Sequence, residues 1–140
     1  MLVFVFGTLK QGFPNFHENL GTRVPGDFAT CERYPLYLVG DRHSPWMVDA
    51  PGTGHPVKGQ VFEVNAPALQ KMDLLERVHA PDGYRRSAIE VIPAATTATP
   101  PLQVFAYLKS ADQVPPGQLR LGPLPEYGLA HAALYRKRRP

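Results

Sequence analysis

Cysteine is nearly absent from this chain: Cys31 is the only one in 140 residues. No intramolecular disulfide can therefore form, and neither a thiolate zinc cluster nor a Cys-x-x-Cys redox pair is available. Charge is sparse as well, with Asp, Glu, Lys and Arg supplying 19% of the residues against 16 prolines and 12 glycines. That balance argues against a helical bundle and for many short strands joined by loops. Long apolar runs are missing too. Nothing approaches the ~20 residues that cross a bilayer, so no membrane association is expected. The chain does not open on a basic region followed by an apolar run and a cleavage site, so its first residues read as mature strand and its compartment as the cytoplasm. The histidines, His17, His43, His55, His79 and His131, show no His-x-x-x-His spacing. They offer no metal-ligand set, and neither a metal nor an organic cofactor is expected.

What remains is enough for one domain. A chain of this length buries about two-thirds of its unfolded surface and needs no staple. The formal charge of +3 gathers at the end, in Arg136-Lys137-Arg138-Arg139. Without aromatics interleaved along a basic groove, this run reads as a flexible solvated tail over about 136–140 rather than a nucleic-acid site. The chain is thus expected to be a single domain over 1–140, acting as a monomer on a small molecule.

The densest signal lies in the first residues. Leu2 to Phe6 is a continuous apolar run, expected as a strand buried on both faces, and it stops at Gly7. One reading is a core strand followed by an ordinary turn. The other is a glycine-opened loop whose exposed main-chain N–H groups cradle an anion or carboxylate. A short helix is expected within 13–22, strands around 27–31, 34–39, 46–48, 57–64, 84–92 and 102–108, and a solvent tip at 93–101. An irregular wrap follows Lys109, with at most a short helix near 129–135. Asn65 and Pro67 mark the start of a helix over 65–77, with Leu69, Met72 and Leu75 or Glu76 spaced for one face.

Glu76 is the acidic residue placed with that apolar stripe. Exposed, it would pair with a neighbouring arginine. Buried, its carboxylate would be desolvated, which raises its pKa and suits it to proton transfer near neutral pH. Trp46 is expected in the core or as a pocket wall. Tyr107 reads either as a pocket hydroxyl or as a structural tyrosine, and Asp73, three residues before Glu76, as a surface residue in preference to a group that tunes Glu76.

Val5-Phe6-Gly7-Thr8-Leu9-Lys10-Gln11-Gly12 resembles the opening signature of the gamma-glutamylcyclotransferase-like family, Val-Tyr-Gly-Thr-Leu-Lys-x-Gly, with Phe6 where that pattern has tyrosine. Gly12-Phe-Pro-Asn15, Tyr34-Pro-Leu36, Gly40, Pro45-Trp46, Val57-x-Gly59-x-Val61-Phe62, Leu75-Glu76, Tyr84-Arg85-Arg86 and Phe105-Ala-Tyr107 follow in the order and near the spacing of its gamma-glutamylamine branch. The resemblance implies an α+β fold, a small mixed or antiparallel sheet curled into a barrel with one or two packed helices. It implies a reaction in which the α-amine of a γ-glutamyl substrate attacks its own γ-carbonyl, expelling an amine and leaving 5-oxoproline. It further implies Glu76 as the general acid/base and Phe6, Gly7, Thr8 and Leu9 as the substrate loop. Phe6 also favours an alternative, a non-catalytic module of the same fold that only binds a small acid.

Overall fold

The computed structural model describes residues 1–95 and 99–137. The expected tip at 93–101 and tail at 136–140 lie partly outside that range. Strands β1 (Leu2–Val5), β2 (Thr22–Arg23), β3 (Phe28–Tyr34), β4 (Leu36–Val39), β5 (Ser44–Met47) and β6 (His55–Glu63) precede helix α1 (Ala66–Leu75). Strands β7 (Arg85–Pro93), β8 (Leu102–Leu108) and β9 (Leu119–Leu121) follow it, and α2 (Leu129–Ala132) comes last.

The larger sheet runs β1-β8-β7-β3-β6 and closes on itself, because β1 also pairs with β6. That closing pair is antiparallel, Leu2 opposite Glu63 through Val5 opposite Gln60, whereas β1 meets β8 in parallel at Val3 and Phe105. Closure removes the open edges of a short sheet, and β2 extends the pairing along β6. A three-stranded sheet, β5-β4-β9, stands beside the barrel.

The continuous apolar run of β1 has a direct explanation. Successive strand side chains point to opposite faces, so Phe4 and Phe6 enter the barrel interior with Val57, Val61, Val91 and Ala106. Val3 and Val5 face outward beneath α1, against Ala68, Leu69 and Met72. Both faces of β1 are dry. The helix over them starts where sequence placed it, with the Asn65 carboxamide oxygen accepting from the Ala68 N–H at 2.9 Å and Pro67 in the first turn.

Two local expectations give way and one open alternative is resolved. The helix expected within 13–22 shrinks to a single 3-10 turn, Phe16–Glu18, because asparagine side chains on either side bond to the preceding loop instead of supporting helix. On α1, Leu74 is 70% and Leu75 40% exposed, so the buried stripe continues from Met72 to Glu76 and not to Leu75. In the C-terminal wrap, β9 adds to the smaller sheet, and Arg136 is docked rather than frayed, its N–H donating to the Arg42 carbonyl at 2.9 Å.

Candidate active site

A cavity of about 920 Å³ opens between the barrel mouth, the end of α1 and the smaller sheet. Its lining includes Phe6, Gly7, Thr8 and Leu9 on one side and Glu76 on another. The two features singled out from sequence therefore meet in one space, because α1 folds back over the strand from which the loop emerges.

The loop is held by its carbonyls. The Lys10 N–H donates to Gly7 O at 3.1 Å, Asn15 N–H to Thr8 O at 2.8 Å, and the Asn19 side chain to Leu9 O at 3.0 Å. Among the described residues no acceptor takes the N–H groups of Gly7, Thr8 or Leu9. All three residues line the cavity, and consecutive main-chain N–H groups of this kind suit an anion. Gly7 is required here for space: a Cβ would lie 2.8 Å from the Pro45 side chain. Phe6 is buried, its ring packed among the barrel residues.

Glu76 caps the C-terminus of α1. Its N–H donates to Met72 O at 2.9 Å, and its own carbonyl accepts from the Tyr84 N–H at 3.0 Å. The connection from Arg77 to Tyr84 is compact enough that a Cβ on Gly83 would sit 1.7 Å from the Arg77 carbonyl. The accessible part of Glu76 opens into the cavity, while burial of the carboxylate pushes its pKa up to about 7 from an ordinary 4.5, against an opposing pull from the Lys109 charge. Such a group exchanges protons at neutral pH.

The remaining polar residues are arranged around this pair. The buried Lys109 ammonium donates to Asp82 O at 2.6 Å and lies 4.4 Å from the ring centroids of both Trp46 and Tyr84. The Tyr84 hydroxyl donates to Pro45 O at 2.9 Å. Tyr107 lines the cavity, but its hydroxyl donates to Asp73 at 2.7 Å, and burial with that bond raises its pKa far above the usual range. Asp73 in turn pairs with Arg86 at 3.0 Å, so it is a buttress behind the site and not the surface residue expected.

The sequence matches the family described as gamma-glutamyl cyclotransferase, AIG2-like, over residues 3–126. The chain belongs to this family. A gamma-glutamylaminecyclotransferase from Homo sapiens is 35% identical over 127 residues, covering 82% of this chain and 81% of its own length. The similar protein B from Danio rerio is 34% identical over 115 residues. The chain spans about three-fifths of several such relatives, 59% of the Danio rerio protein and 62% of one from Mus musculus. The crystal structure of an AIG2-like protein from Mus musculus superposes with a TM-score of 0.83 at 30% identity, covering 99% of this chain and 97% of that one. This barrel is thus the gamma-glutamyl cyclotransferase fold, as the resemblance implied.

In this family member, sequence reasoning gave no role to Lys109, Asn15 or Tyr135. Lys109 had a legible signal: it directly follows the apolar run of β8 in a chain poor in charge, and a lysine there must be buried with partners or turn outward. Asn15 and Tyr135 carried none, since their meeting depends on the path of the C-terminal wrap.

Proposed function

We propose that this chain is a gamma-glutamylamine cyclotransferase that releases 5-oxoproline and a free amine. The observation that carries this reading is the convergence of Glu76 and the three loop N–H groups in one cavity. An α-amine has a pKa of about 8 and is mostly protonated at neutral pH. The Glu76 carboxylate takes one proton from it, freeing the nitrogen lone pair. That nitrogen attacks the γ-carbonyl carbon, a five-membered ring closes, and the carbonyl oxygen becomes an oxyanion. The oxyanion re-forms the carbonyl as the C–N bond breaks and Glu76 returns its proton to the leaving nitrogen; the regenerated carboxylate then takes the second proton from the ring nitrogen, which the departing amine carries away as an ammonium. One carboxylate serves in both directions because its pKa of about 7 lies close to the working pH.

The loop N–H groups hold the substrate's α-carboxylate or the developing oxyanion. Each donor well aimed at an oxyanion is worth about 2.7 to 4 kcal/mol. Holding the substrate folded so that amine and carbonyl meet adds the advantage of proximity. The gamma-glutamylamine branch is favoured by the relatives' names and by Tyr34-Pro-Leu36 and Pro45-Trp46. The test is 5-oxoproline release across a panel of γ-glutamyl amines and γ-glutamyl dipeptides. Turnover highest on an amine supports the reading; no release from any of them, with 5-oxoproline still bound, favours the small-acid-binding module to which Phe6 lends support.

A further inference from the structure

Two contacts tie the C-terminal segment to the loop that lines the cavity. At one end the Lys10 ammonium donates to the Tyr127 carbonyl at 2.5 Å. At the other, the Asn15 side-chain amide donates to the Tyr135 hydroxyl at 3.2 Å and to the Thr8 hydroxyl at 3.0 Å. Asn15 also holds the Thr8 carbonyl through its own N–H at 2.8 Å. Tyr135 is itself fixed, since Arg42 donates to its hydroxyl at 3.3 Å and to the Arg136 carbonyl at 3.0 Å. Tyr135 and Asn15 both line the cavity.

We propose that Tyr135 is a positioning residue for the Gly7–Leu9 cradle, acting through Asn15, so that the C-terminal segment sets how tightly the cradle holds an anionic ligand. The two hydrogens of a carboxamide nitrogen lie in the amide plane, and acceptors on both fix that plane. With the plane fixed, Asn15 grips Thr8 by carbonyl and side chain together, leaving the N–H groups of residues 7 to 9 turned to the cavity. Without the Tyr135 oxygen, one N–H of a half-buried amide loses its partner, the carboxamide rotates to find water, and the Thr8 side chain is released. The inference rests on reading that loop as a carboxylate cradle.

The test is Tyr135→Phe, which keeps the ring and removes the acceptor. In the ligand-free protein, the backbone amide resonances of Gly7, Thr8 and Leu9 should shift, although the substitution lies at the far end of the chain. Titration with 5-oxoproline should show weaker binding by roughly 2- to 10-fold, the range of a single hydrogen bond. On a substrate that the wild type turns over, kcat/KM should fall by a similar factor while the pH profile is unmoved, because this contact acts through the cradle and not through proton transfer. Thr8→Val should weaken 5-oxoproline binding, and adding Tyr135→Phe to it should cost less than the two separate effects combined, as for members of one chain of contacts. Unshifted loop amides with unchanged affinity overturn the proposal, as does full additivity with Thr8→Val. If wild type neither binds nor releases 5-oxoproline, the functional reading fails, while the amide shifts of the ligand-free protein still decide whether Tyr135 positions the loop.

Discussion

The Lys109 ammonium lies 4.4 Å from the centroid of the Trp46 ring, held on the wall of the cavity that Glu76 enters. Its positive charge favours the Glu76 carboxylate and so opposes the effect of burial. Lys109→Met should therefore raise the Glu76 pKa above about 7. The acid limb of the kcat/KM profile should move to higher pH, with a loss of roughly threefold at pH 6.5 and little change at pH 8.5. An unmoved limb would separate Lys109 from the proton chemistry.

Glu76→Gln keeps the shape of the side chain and removes the proton carrier. Release of 5-oxoproline should fall by about 10² to 10⁴, the usual contribution of general acid/base catalysis, while 5-oxoproline binding measured by titration survives. Turnover within fivefold of wild type would make Glu76 structural.

The same substitution should stabilise the protein above neutral pH. Between the ordinary carboxyl value of 4.5 and the folded value of about 7, the native state holds a proton that the unfolded state has released. Wild-type stability therefore falls as pH rises through this window. The total loss is at most about 3 kcal/mol, reduced by the water that reaches the cavity. Glu76→Gln avoids it. Thermal melts should place the variant on the order of 4–6 °C above wild type at pH 8 and level with it at pH 4. Equal differences at both pH values would mean that the carboxylate is not desolvated.

Gly7→Val places a branched side chain where even a Cβ is 2.8 Å from Pro45. The loop must shift away from β5, and 5-oxoproline binding should weaken at least tenfold, about 1.4 kcal/mol. Unchanged affinity by calorimetry would locate the acid elsewhere.

Phe6→Tyr adds a hydroxyl to a ring buried at the cavity wall. Since the proposed cradle is main chain, turnover should change by less than about tenfold. A gain of several hundredfold would mark the present chain as the small-acid-binding form.

Much of the fold was legible because local rules were strong. The doubly buried β1 shows as an unbroken apolar run, and α1 announces itself through Asn65 and Pro67. The first exceptions arose where side chains compete with helix, as Asn15 and Asn19 do around residues 16–18. Glu76 and the Gly7–Leu9 loop were legible as types of residue at a recognisable motif, but their meeting in space was not, since it depends on α1 returning over β1. Asp73 was misread because its partners Tyr107 and Arg86 come from strands far along the chain. The wrap after Lys109 has no periodicity to read, so β9 and the hold of Tyr135 on Asn15 emerge only from tertiary structure.

The dual pairing of β1 has a consequence for synthesis. Residues 2–5 leave the ribosome well before either neighbour, since their antiparallel partner is residues 60–63 and their parallel partner is at Phe105. The strand that carries the loop has both neighbours only after β8 has emerged, so the nascent chain holds an incompletely paired apolar segment until then. A product truncated before β8 retains the whole opening signature and still lacks the closed barrel from which that loop projects.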